Sequence, residues 1–410
     1  MTTTINNKHK KLNVPNLRFP EFQGEWEELG LSELLDFKNG LNPKPDKFGK
    51  GIKFISVMDI LNNAVITYDC IKASVDVTEK ELSDFSVEKG DILFQRSSET
   101  LEDVGRANVY MDDKTAVFGG FVIRGKKKGE YDPQYFNYLL RSPFARKRII
   151  PMGAGAQHFN IGQEGLSKVK LHFTNIEEQK KIGKMLSLLD ERIATQNKII
   201  EDLKKLKSAI SKYLFARKDL LETTICLSNI ATLKNGYAFQ SGKYNAMGKW
   251  KILTITNVPG ERYINDEDCN CMINLPDDIQ DHQVLKEGDI LISLTGNVGR
   301  VSLCKSGAYL LNQRVGLLQI EGNIDKEFLY QVLSSRRFEN SMVACGQGAA
   351  QMNIGKGDVE NFVLPYSSNA NNIHLVARIL HSYDECIINE LRELTLLTMQ
   401  KQYFLAQMFI

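Results

Sequence analysis

The longest regular alternation of apolar and polar positions runs from Glu177 to Phe215. Ile182, Leu189, Leu203 and Ile210 fall on one seam position of a seven-residue repeat, and Leu186, Ile193, Ile200 and Leu214 fall on the other. The stretch has no proline and, beyond Gly183, no glycine, so the spacing predicts one long helix with a coiled-coil stripe. Gln196 and Lys207 interrupt the stripe. Polar residues at seam positions fix register and partner choice at a cost in stability, so the helix is expected to have one specific partner. At 1.5 Å rise per residue it makes a rod of roughly 60 Å, suited to holding two bodies apart.

The partner is in the same chain. Sliding the sequence along itself by 194 residues lays this segment on residues 371–409, where the seam recurs as Val376, Leu380, Tyr383, Ile387, Leu394, Leu397, Phe404 and Met408. Matched identities include Asp190 with Asp384, Glu191 with Glu385, Leu203 with Leu397 and Phe215 with Phe409. The repeat extends beyond the helices. LSELLDFKNG (31–40) returns as LSNIATLKNG (227–236), and VEKGDILF (87–94) as LKEGDILI (285–292). Val104-Gly105-Arg106 returns as Val298-Gly299-Arg300, and GAGAQHFNIG (153–162) as GQGAAQMNIG (346–355). The chain is a tandem duplication, each copy a globular domain followed by a long helix.

Between the matched blocks, β-branched and aromatic runs bounded by Gly and Asp predict short strands at 52–57, 91–95, 107–111 and 117–124, then a helix at 132–140. The second copy repeats the order, with strands at 250–255, 289–293, 301–304 and 314–320 and a helix at 325–335. The expected fold class is α+β: two similar domains separated by a long antiparallel two-helix coiled coil. The expected organisation is a flexible terminus (1–16), a first domain (17–173), a central spacer helix (174–219), a second domain (220–368) and a closing spacer helix (369–410). Aromatics around Pro20 and Trp26 are expected to tuck against the first domain.

Composition narrows the class. Hydrophobic content of 42% and charged content of 25% suit a soluble globular protein. No run approaches the ~18 apolar residues of a membrane helix, and the polar start lacks the apolar core of a signal peptide, which makes the cytoplasm the expected location. The seven cysteines are odd in number and scattered, so no disulfide framework is expected. Cys269, Cys271 and His282 lack the second ligand pair of a zinc ribbon, and no metal site is expected. A formal net charge of +2 falls short of a free-standing nucleic-acid binder.

Catalytic signatures are missing. There is no phosphate-binding loop, Gly153-Ala154-Gly155 does not link a strand to a helix as a dinucleotide fingerprint must, and no amino-methyltransferase motif occurs. Glu178-Gln179-Lys180 matches the Glu-x-Lys fragment of some nucleases, but it is expected on the exposed start of the long helix without an Asp partner. What the chain does carry is loops rich in groups that pair with base edges or phosphates. In the first copy these are Lys38, Asn39, Gln95, Arg96, Ser97, Arg106, Gln157, His158 and Asn160. In the second they are Lys234, Asn235, Tyr237, Ser293, Thr295, Asn297, Arg300, Asn312, Gln313, Arg314, Gln347, Gln351 and Asn353. Each alone is ordinary turn chemistry. Their recurrence at matched places points to two related sites with different ligands.

With its LRFPEF start, its twin KNG, GDIL, VGR and G-x-G-A-x-x-x-N-I-G blocks and its two helices, the chain resembles the specificity subunit of Type I restriction–modification systems. The resemblance spans residues 17–409. It implies two target-recognition domains that each read one half of a split sequence in double-stranded DNA, held apart by the helix pair. It also implies two methyltransferase subunits and two motor-nuclease subunits as partners. On this reading the chain itself is not an enzyme, and S-adenosylmethionine, ATP and magnesium belong to the partners. Two alternatives stay open: a coiled-coil scaffold that binds protein only, and the recognition part of a fused restriction-methyltransferase.

Overall fold

The computed structural model describes residues 13–346 and 352–410. The chain divides into two compact units: one ends at Asn197 and takes in Glu393–Ile410, and the other is Lys198–Arg392.

Each unit is built on the same three sheets. In the first, a four-stranded antiparallel sheet runs in the order Leu35–Asn39, Val122–Lys127, Ile92–Gln95, Ala107–Val109. The second repeats it as Ala231–Asn235, Val315–Ile320, Ile290–Ser293, Val301–Leu303. Beside it lies a four-stranded sheet with a parallel pair at its centre, Phe48–Ile55 with Ala116–Phe118 in one unit and Trp250–Leu253 with Tyr309–Leu311 in the other. A two-stranded ribbon completes each unit, Glu27–Gly30 with Lys170–Phe173 and Thr223–Cys226 with Val363–Tyr366. The α+β class and the duplication therefore hold sheet by sheet, the first unit adding the short pair Ser97–Ser98 with Phe159–Asn160 where the second has the single bridge of Thr295 with Asn353.

One expected strand is two. Residues 117–124 break into Ala116–Phe118 and Val122–Lys127, which belong to different sheets. The break is the Gly119-Gly120-Phe121 turn, made tight by Gly40. A Cβ at Gly40 would sit 2.1 Å from the Gly119 carbonyl oxygen, and one at the matched Gly236 would sit 2.2 Å from that of Asn312. The KNG glycines are thus demanded by close backbone approach.

The helix Pro133–Arg141 begins where Asp132 accepts a hydrogen bond from the Tyr135 amide, with Pro133 in the first turn. Its counterpart, Lys326–Leu333, is capped in the same way by Asp325. Both bury almost their whole length against the antiparallel sheet.

The two long helices are Ile176–Ala216 and Ala370–Gln407, 41 and 38 residues. Every seam residue is buried or half-buried. In the first unit Ile182 and Leu186 share one core with Phe404 and Met408; in the second Leu214 shares a core with Val376 and Leu380. The seam is the face along which the helices pack in each unit.

The segment ahead of the first strand straps the first unit. The Leu17 amide donates to the Gln407 carbonyl at 2.9 Å, and Trp26 packs edge-on against Tyr135 and Phe409. Arg18 grips Glu178 through two 2.7 Å hydrogen bonds, which raise its pKa. This corrects the expectation for Glu178-Gln179-Lys180: Glu178 and Gln179 are buried, with Gln179 bonded to the Asp132 amide and the Thr174 carbonyl. The strap covers the start of the helix, and this acid holds structure together.

Candidate nucleic-acid interface

In the first unit, the pairings of Ile123 with Asn39, Val122 with Gln95, and Phe94 with Ala107 put the ends of four strands at one end of the antiparallel sheet. From that end emerge the loop after Lys38-Asn39, the Gly119-Gly120-Phe121 turn, and the loop from Arg96 to Arg106. The Gly-rich segment joins them by strand pairing, Asn160 with Ser97 and Phe159 with Ser98. The Arg96 backbone ties the group together: its amide donates to the Phe121 carbonyl at 2.8 Å, and its carbonyl accepts from the Ile161 amide at 2.9 Å.

The second unit makes the same gathering. Asn235 lies opposite Gly316, Ser293 opposite Val315, and Ile292 opposite Val301. Thr295 bridges to Asn353, the Leu294 amide donates to the Arg314 carbonyl at 3.0 Å, and the Leu294 carbonyl accepts from the Ile354 amide at 2.9 Å. A side-chain bond closes each gathering at matched positions, Ser97 with Asn160 and Thr295 with Asn353, the latter at 2.9 Å. The VGR motif ends the loop that follows each GDIL strand. Gly105 and Gly299 have φ of 66° and 77° and donate backbone hydrogen bonds to Gln95 and Ser293, a left-handed turn that favours glycine.

The sequence candidates divide by exposure. Asn39, Arg106, Gln157, His158, Asn160, Asn235, Asn297, Gln313, Arg314 and Asn353 are exposed at these loops. Lys38, Arg96, Ser97, Lys234, Tyr237, Arg300 and Asn312 are half-buried. Several already have partners. Lys38 pairs with Asp84 at 3.1 Å, Arg106 with Asp103 at 2.6 Å and Arg300 with Glu339 at 3.7 Å. The Tyr237 hydroxyl donates to Asp278 at 2.7 Å, and Asn312 accepts from the Arg314 amide at 3.2 Å. Gln347 and Gln351 lie outside the described residues.

Three candidates turn inward. Gln95, Ser293 and Thr295 are buried, and Gln95 and Ser293 spend their side chains on the loop backbone, on the carbonyls of Ser97 and Thr295. The reason is that Ile92–Gln95 and Ile290–Ser293 are covered on both faces. An apolar run without alternation is the sequence mark of such a strand. With little or no surface exposed, these three side chains shape the loops in this structure.

One exposed residue escaped sequence reasoning. Phe121 is 68% exposed at the tip of its turn. Aligning FGGFV (118–122) with LNQRV (311–315) places it opposite Arg314, so the duplication held the signal. Among the described residues no His, Cys, Asp or Glu cluster is arranged to hold a metal ion, and no helix is long and apolar enough to cross a membrane.

A family model described as the Type I restriction modification DNA specificity domain matches residues 23–205 and again residues 222–398. The MjaVIII Type I restriction enzyme specificity subunit of Methanocaldococcus jannaschii is 27% identical over 376 residues, covering 85% of this chain and 83% of that protein. The crystal structure of the Type I restriction-modification S subunit from M. genitalium aligns with a TM-score of 0.57 at 18% identity, covering 97% of this chain and 99% of that one. A chain solved in work on complex assembly and conformational transition of the type I R-M system aligns with a TM-score of 0.56 at 13% identity, covering 93% and 96%. Matched twice over most of its length, the chain belongs to the Type I restriction–modification DNA specificity family.

Proposed function

We infer that this chain is the specificity subunit of a Type I restriction–modification complex. It reads a bipartite, gapped target in double-stranded DNA, one half-site per unit, and directs adenine methylation and cleavage by its partner subunits. The observation that carries this reading is the gathering of the same loops at the same end of the same sheet in both units, with different side chains at the tips. A shared scaffold with divergent tips is what two readers of unlike half-sites require.

The exposed tips hold the side chains suited to base edges. An Arg such as Arg314 holds guanine bidentately, Gln313, Asn297 or Gln157 holds adenine, and an aromatic such as Phe121 packs on a thymine methyl. Phosphate contacts position the protein without specifying sequence, and with a net charge of only +2 this chain leaves much of that work to its partners. Those partners are two methyltransferase and two motor-nuclease subunits, which bring S-adenosylmethionine, ATP and magnesium. Ile199, Leu206 and Tyr213 leave an exposed apolar row on the second unit's part of the central helix, which supports a protein partner there. On this reading the chain works in the cytoplasm, beside its DNA and its partner subunits.

The test is genome-wide mapping of N6-methyladenine in cells expressing the chain with a Type I methyltransferase subunit, against cells without the chain. A gapped, two-part motif that depends on the chain is the expected result. Co-purification of the two proteins with no such motif would leave a protein-binding scaffold as the function.

A further inference from the structure

We propose that Asp190 and Asp384 are positioning residues that fix the register of each recognition domain on its own helix pair, and so restrict the gap length the subunit accepts. The inference rests on the DNA-reading function above.

In the first unit, Asp190 on the central helix uses both carboxylate oxygens for different bodies. One accepts a 2.7 Å hydrogen bond from the hydroxyl of Tyr138, on the domain helix Pro133–Arg141; the other takes Lys401, on the closing helix, at 2.5 Å. In the second unit, Asp384 on the closing helix does the same with roles exchanged. One oxygen takes Lys207, on the central helix, at 2.5 Å. The other accepts from Gln331 of the domain helix at 2.6 Å and from Arg262 at 3.1 Å. Lys401 stands 5.7 Å over the Tyr138 ring, and Lys207 stands 5.9 Å over the ring of Tyr330.

The two nodes are copies of one device. Asp190 matches Asp384, and Lys207 matches Lys401, at the same offset of 194. The Asp of each helix takes the Lys of the other, so Lys207, which breaks the apolar stripe in sequence, has its charge answered inside the fold. Both carboxylates are largely buried, with side chains 15% and 7% exposed. Buried ion pairs add little net stability because desolvation offsets the Coulomb gain, but a directional pair in an apolar seam specifies register. Around the first node Ile182 and Leu186 join the domain core through apolar contact, which is non-directional, and at the start of the domain helix Gln179 accepts from the Asp132 amide at 3.0 Å. Adhesion comes from the seam; the node gives the domain helix a second directional point on the central helix, and two such points fix an angle where one does not.

Two variants test this. Y138F removes only the domain-side donor and keeps both the ring and the lysine; D190N weakens both arms. The readout is methylation, by the complex with a methyltransferase subunit, of a DNA pool in which both half-sites are kept and the gap is varied by one base pair either way. The expected result is a rise of about three- to tenfold in off-gap relative to matched-gap methylation, the scale of losing one ordinary hydrogen bond, with half-site letters unchanged. A wild-type ratio in Y138F, with matched sites still methylated, overturns the proposal even if D190N does not fold. Absence of any gapped motif with the unsubstituted chain would bring down the DNA-reading function, and this inference with it.

Discussion

The two units share three matched sheets and differ where the strands end. At the turn that crowns the antiparallel sheet, the first unit has Gly119-Gly120-Phe121 and the second has Asn312-Gln313-Arg314. The backbone bonds that hold this turn are the same in kind: Phe121 accepts from the amide of Arg96, and Arg314 accepts from the amide of Leu294. The tips that result are an exposed ring in one unit and an exposed guanidinium in the other. Geometry is held by backbone, so side chains at the tips are free to diverge without cost to the fold. The junction with the helices shows the converse. There the side chains themselves are the geometry, and Asp190 with Lys401 and Asp384 with Lys207 keep their identities across the duplication.

The sharpest way to break this comparison is to attack the shared scaffold. Gly40→Ala and Gly236→Ala each force a Cβ into a backbone carbonyl, and each is expected to destabilise its unit by roughly 3 kcal/mol, read as a lower denaturant midpoint. Similar losses from both would show one scaffold used twice; a loss from one alone would show that the turns are not equivalent.

Next come the tips. Arg314→Ala is expected to relax one position of the half-site read by the second unit, with a loss of about 1–3 kcal/mol in base discrimination, and to leave the other half-site intact. Phe121→Ala is expected to do the reverse, at about fivefold, since an apolar contact to a thymine methyl discriminates less than a bidentate pair. Methylation mapping of both variants checks the division; equal weakening at both half-sites would refute it.

The smallest effect separates the units by pH. Asp266, in the second unit, accepts from Lys251 at 2.8 Å, from Lys305 at 2.9 Å and from the Tyr309 hydroxyl at 3.1 Å, and these bonds hold its carboxyl well below the usual range. A depressed folded-state pKa contributes stability that is fully present above the unfolded value of about 3.9 and is lost as pH falls through the folded value. The difference in unfolding midpoint between the wild-type chain and Asp266→Asn should therefore be visible at neutral pH and shrink below about pH 4. A difference that grows in acid would show that Asp266 does not act as an ion-pair acceptor.

Much of the fold was legible because it is local. The seam from Ile182 to Leu214 and its copy from Val376 to Met408 are written in periodicity, and periodicity decides which face of a helix is buried. Asp132 and Asp325 mark their helix starts in the same way. The site was only half legible. Gln95 and Ser293 have the right chemistry for base edges but sit in strands covered on both faces, and Phe121 has a side chain that no polar-loop criterion selects.

The duplication, the helical seams, the α+β order and the lack of catalytic signatures follow from the sequence alone, because each is a pattern among neighbours or between matched copies. The gathering of loops from residues 39, 96, 121 and 160 at one sheet end, the burial of Glu178 under the Arg18 strap, and the crossing of each Asp to the other helix's Lys were decided only by the tertiary structure. Each depends on pairing segments far apart in the chain, and that pairing is chosen by the packing of the whole core rather than by any local preference.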